Sequence, residues 1–159
     1  MPTISIDDYL SNLRDLLRET FEGTGGEASH YIDGKGHGSL LETLDRTDSR
    51  LASMPLRAGG ATIAAHTEHL RYYVRILRRL MADEKGVQPD WPGSWQTRAV
   101  TPDEWEVLKA AVRTEVAALL ENVDRIDTWD DDRVGGTLSI LAHSAYHLGA
   151  IRLLSVTLD

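Results

Sequence analysis

Cysteine is absent from the 159 residues. That excludes disulfides, thiolate nucleophiles and every zinc or iron–sulfur site built on sulfur, so any metal must be held by His, Asp or Glu. Basic charge is scarce: 17 Lys and Arg stand against 25 Asp and Glu, a formal net charge of −8. Affinity for nucleic acid and attraction to an anionic membrane both begin with Lys and Arg meeting phosphates, so neither partner is expected. Long apolar runs are missing too, with nothing near the ~18 consecutive apolar residues of a membrane span. The opening MPTISIDDYLSNLRDLL has no basic segment ahead of its apolar residues, as a secretory signal would. A chain of this length without linkers or low-complexity tracts is expected to form one domain over residues 1–159, located in the cytoplasm.

What is present is helical period. In residues 5–22, Ile6, Tyr9, Leu10, Leu13, Leu16, Leu17 and Phe21 recur at spacings of three and four, one stripe of an amphipathic helix. The stretch GTGGEASHYIDGKGHG that follows holds six Gly and no apolar period, and predicts a long loop. Ser39 with Glu42 is a capping-box signal ahead of Leu40, Leu41, Leu44 and Leu51, predicting a short helix over 39–53. Thr62 opens a strong helix to about residue 83, and Thr101-Pro102-Asp103-Glu104 opens another to about 124. Between them, Pro89, Trp91, Pro92 and Trp95 mark a connector. The acidic turn Asp130–Asp132 and the pair Gly135-Gly136 place the start of the last helix near 137, running to about 157. No segment alternates as a strand does. The expected fold is all-α: a four-helix bundle with a loop plus short helix inserted between the first two long helices.

The last helix carries His143 and His147, four residues apart, so both rings leave one face about a turn apart and within reach of one metal ion. They lie on its apolar stripe between Ile140 and Ile151, where an unpaired imidazole costs on the order of 1–3 kcal/mol. The helix from Thr62 adds His66 and His69. Three inward imidazoles on two helices would build a nitrogen site with an open position, suited to zinc, nickel or ferrous iron. Spacing alone leaves His66 and His69 both open as the third ligand, and the apolar period places His66 nearer the centre of the stripe. Tyr146, beside this motif, and His37, in the glycine loop, are candidate catalytic side chains that could meet a bound substrate.

The run Ala61-Thr62-Ile63-Ala64-Ala65-His66-Thr67-Glu68-His69-Leu70 resembles the second-helix motif of the DinB/YfiT superfamily, in which a His stands seven residues after a Ser or Thr. His143-Ser144-Ala145-Tyr146-His147-Leu148-Gly149-Ala150-Ile151 is similar to that superfamily's last-helix signature, His-x-x-x-His-x-Gly-Gln-Ile. The chain departs from it at Ala150, which stands where the Gln is usual, and in offering His66 one turn before His69. The resemblance implies a four-helix bundle whose divalent ion (zinc, nickel, iron or manganese) is held by His69, His143 and His147, with His66 as the alternative. It implies chemistry on a small-molecule substrate, a low-molecular-weight thiol such as bacillithiol or mycothiol, by an S-transferase or a hydrolase. The competing expectation is a non-catalytic binding or stress-response protein. A homodimer is expected, formed through an outer helix face if the protein is non-catalytic, while the excursion over 23–60 is open as a lid or a dimer contact if it is an enzyme.

Overall fold

The computed structural model describes residues 3–26, 28–32 and 38–158, and every regular element among them is helical. In chain order these are α1 (Ile6–Phe21), α2 (Leu40–Arg46), α3 (Ser49–Ala52), α4 (Ile63–Met81), a 3-10 turn (Gly93–Trp95), α5 (Pro102–Asp124) and α6 (Asp131–Leu158). Most starts follow the signals in the sequence. Thr62 Oγ1 accepts from the Ala65 amide at 3.1 Å, and Ser39 with Glu42 and Thr101 with Glu104 close two complete capping boxes. The glycine-rich stretch forms no regular element in its described residues, and Gly23, Gly25 and Gly26 there have positive φ. Of the candidate site residues, His37 lies outside the described residues.

Two boundaries differ from expectation. The single short helix expected over 39–53 is two. Thr47 and Asp48 are extended, the Thr47 carbonyl accepts from Trp105 Nε1 at 2.7 Å, and the Asp48 carboxylate starts a new turn by accepting from the Leu51 amide at 2.7 Å. The last helix begins at Asp131, six residues before the expected start. Asp130 Oδ1 accepts from the Arg133 amide at 2.9 Å, and Asp131 and Asp132 place negative charge at the positive end of the helix. Gly135-Gly136 therefore lies within the helix. A Cβ on Gly136 would come within 2.9 Å of Met81 Sδ, so this glycine lets α6 approach the end of α4 closely.

The four long helices close a ring of contacts: α4 packs against α5 and α6, and α1 packs against α6 and α5. Leu17 and Phe21 of α1, Ile63 and Leu70 of α4, Trp105 and Leu119 of α5, and Ile140, Leu148 and Ile151 of α6 fill the space between them, fully buried. Fully burying one such aliphatic or aromatic side chain contributes about 1.5–3 kcal/mol, which makes this shared core the main source of cohesion. Tyr9 ties α1 to α6 by a 2.7 Å hydrogen bond to Thr137. The loop at 28–32 is held by the buried Glu19 carboxylate, which accepts from Ser29 Oγ and from the amides of His30, Tyr31 and Ile32 at 2.6–3.0 Å. No helix among the described residues is long and apolar enough to cross a membrane.

Candidate metal centre

The closest packing in the ring, α4 against α6, brings four histidines together. His69 from α4 and His143 and His147 from α6 each offer a nitrogen, and these atoms lie within 4.8 Å of one another. The i, i+4 spacing does what it predicts, bringing the His143 and His147 rings side by side with centroids 4.4 Å apart and planes tilted by 59°. Their centroids stand 5.2 and 5.1 Å from that of His69. The apolar period favoured His66, but the converging set contains His69. His69 is in ring contact with both α6 histidines, whereas His66 sits one turn back beside His147.

A hydrogen bond fixes which nitrogen His69 presents. The single proton of Ser94 Oγ is committed to the Trp91 carbonyl at 2.7 Å, so the 2.7 Å contact to His69 Nδ1 requires that nitrogen to be the donor. The lone pair of His69 is thereby left on Nε2. His147 Nδ1 lies 2.9 Å from His66 Nδ1, and one proton serves that bond; with it on His147, Nε2 again carries the lone pair. His143 Nε2 and His147 Nε2 are buried and have no hydrogen-bond partner. Two orphaned ring nitrogens in one place would each cost about 1–3 kcal/mol unless a ligand takes them up. A divalent cation shared with His69 would satisfy both.

Electrostatics agree with that role. Burial, and then the neighbouring His69, pushes His143 down to about 4, and burial with the other three imidazoles pushes His147 down to about 3. Burial also lowers His66, with a contribution from His69, and burial lowers His69 itself. At neutral pH His143 and His147 are uncharged, the state in which imidazole ligates.

Aromatic rings wall the cluster. Tyr73 stacks on His143 at 3.7 Å between centroids, and Trp95 stacks on His69 at 4.1 Å and meets His66 nearly at right angles at 5.3 Å. Trp91 stands beyond, against His69, Tyr72 and Tyr73. The connector is held in place by Ser94 and by Tyr72 Oη, which accepts from the Asp90 amide at 2.7 Å. Sequence reasoning did not find Ser94: a serine between two tryptophans in a Pro/Gly turn carries no periodic signal. Tyr146 is placed on the outer face of α6, 68% exposed, with its ring edge-on to His147 at 5.0 Å. Comparison of the chain with protein-family models, with curated proteins and with solved structures found no match in any of the three.

Proposed function

We propose that the chain is a metal-binding four-helix bundle of the DinB/YfiT kind, with His69, His143 and His147 holding one divalent ion. Zinc, nickel, iron and manganese are the ions to test, since nitrogen donors accept all four and affinity rises along the series from manganese to nickel. The observation that carries this reading is the pair of buried, unpartnered Nε2 atoms beside a third imidazole whose tautomer Ser94 fixes. Three neutral protein ligands leave a coordination position open, and an ion so held supplies Lewis acidity towards a thiol or a water. The chain's own residues supply the rest. Ser94 and His66 orient two of the rings, while Tyr73 and Trp95 keep water from their faces. The reaction class that suits this arrangement is transfer or hydrolysis at a low-molecular-weight thiol substrate, the chain having no thiol of its own.

The depth of the cluster supports a second reading. His69 and His147 are 6% and 1% exposed beneath Trp95, an enclosure that suits a bound ion serving recognition or cohesion without turnover. Elemental analysis of untagged protein tests the shared premise. About one ion per chain is expected, lost in His69→Ala and His147→Ala and retained in His66→Ala. A wild type that takes up none of the four metals on reconstitution overturns both readings. Metal-dependent consumption of bacillithiol or mycothiol with an electrophile, abolished in His147→Ala, selects the enzyme; its absence in fully loaded protein selects the binding protein.

A further inference from the structure

The outer face of α6 is not built for water. From Val134 to Leu158 the only Lys, Arg, Asp or Glu is Arg152, and its guanidinium turns to the Ile32 carbonyl at 3.0 Å. The exposed line along the helix reads Leu138, Ala142, Tyr146, Gly149, Leu153 and Val156, spaced by four, four, three, four and three residues. Leu138 is 48% exposed, and Tyr146, Leu153 and Val156 are 64–68% exposed. A surface helix normally turns charged and polar side chains outwards, and a contiguous apolar stripe of this length marks a contact surface.

Gly149 supplies an independent observation. It sits in the interior of α6, its φ is not positive, and a Cβ built there would meet nothing within 4 Å. Nothing within the chain therefore requires a glycine, yet glycine inside a helix costs about 0.5–1 kcal/mol relative to alanine. The backbone there is left bare of a side chain and admits a close approach from another molecule. The spacing of the line says which. Reversed end to end, it falls on itself: Tyr146 comes opposite Gly149, Ala142 opposite Leu153, and Leu138 beside Val156. Each large side chain meets a small one wherever the line offers one, the self-complementarity that a two-fold interface demands.

We propose that two copies of this chain pair antiparallel through the outer face of α6, about a two-fold axis between Tyr146 and Gly149, each Tyr146 ring lying over Gly149 of the second copy. The pairing does not depend on the metal reading. The 28 residues of α6 make a contact line about 42 Å long. A standard interface takes roughly 800 Å² from each partner, the area such a pairing has to cover. Because Tyr146 abuts His147, the interface also backs directly onto the histidine cluster.

Since the chain has no cysteine, one introduced thiol per copy reports the register without background. Wild-type protein at tens of micromolar is expected to sediment as a dimer, and Leu153→Arg as a monomer of unchanged helical circular dichroism. Oxidation of a mixture of Ala142→Cys and Leu153→Cys chains should yield a disulfide-linked dimer. Each variant alone should not, because equivalent positions lie about 16 Å apart along antiparallel helices. Monomeric wild type overturns the proposal, and if that monomer floats with phosphatidylcholine vesicles the face belongs to a lipid surface instead. A dimer that persists in Leu153→Arg, or that cross-links through Leu153→Cys alone, overturns this pairing.

Discussion

Ser94 acts on the histidine cluster without adding a nitrogen to it. Its hydroxyl gives its proton to the Trp91 carbonyl and can only accept from His69, which makes Nδ1 of that ring the protonated nitrogen. Ser94→Ala is expected to weaken metal binding about 10- to 100-fold while leaving the fold intact, as read by competition with a chelating dye. An unchanged dissociation constant would show that His69 needs no such partner. Where His147 donates its Nδ1 proton to His66, His66 plays the same part for His147, so His66→Ala should keep about one ion per chain at reduced affinity. At this scale the sequence was informative where a rule of spacing applied. His143 and His147 follow from four residues on a helix, but the choice of His69 over His66 depends on the rotation of α4 against α6, which apolar period does not encode. Ser94 depends on a loop folding back over a helix and left no trace in the pattern.

Helix ends show what a neighbouring residue can override. The glycine pair at 135 and 136 reads as a break, yet α6 passes through it because Asp130 caps the amide of Arg133 and the helix is anchored on either side. Removing that cap in Asp130→Ala is expected to cost about 1 kcal/mol in urea unfolding. The two glycines should then part company. A Cβ at Gly135 meets nothing, so Gly135→Ala should stabilise by about 0.5–1 kcal/mol. A Cβ at Gly136 presses on the buried Met81, so Gly136→Ala should gain less or lose. Equal gains at the two positions would contradict the packing of α4 on α6. The split of α2 from α3 has a similar origin. A tryptophan 58 residues further on takes the Thr47 carbonyl, a long-range bond that no local signal announces. By contrast α1, α4 and α5 were legible to within a few residues, because caps and apolar period pointed the same way.

For the molecule as a whole, the buried histidines couple stability to pH. A base whose pKa is lower folded than unfolded binds its proton more readily in the unfolded chain, so its contribution is complete above 6.5 and is lost as pH falls towards the folded value. Metal-free protein should therefore lose stability as pH falls from 6.5 towards 4, His147 alone contributing a slope of up to about 1.4 kcal/mol per pH unit. Denaturant midpoints across that range check this, and a flat profile would contradict neutral burial of the cluster. Glu19 extends the loss to more acid conditions. Burial alone would raise it, but the hydrogen bonds from Ile32, Ser29, Tyr31 and His30 outweigh burial and hold it at about 2 against an ordinary 4.5. Metal should oppose the whole trend by mass action, raising Tm with ion concentration and losing the gain on chelation.

The indole stacked on His69 also makes the centre observable without labels. Trp95 lies 4.1 Å from the imidazole, ring on ring, and Trp91 meets it edge to face at 6.5 Å, while Trp105 is buried in the core under Thr47 and Trp129 packs against Tyr9. An excited indole in face contact with an imidazole loses emission when that ring gains positive character, whether from a proton or from a cation. Intrinsic fluorescence should therefore follow filling of the site in real time, and Trp95→Phe should remove most of that signal while the ion still binds, leaving the smaller part that Trp91 reports. Occupancy could then be followed optically in the unmodified protein.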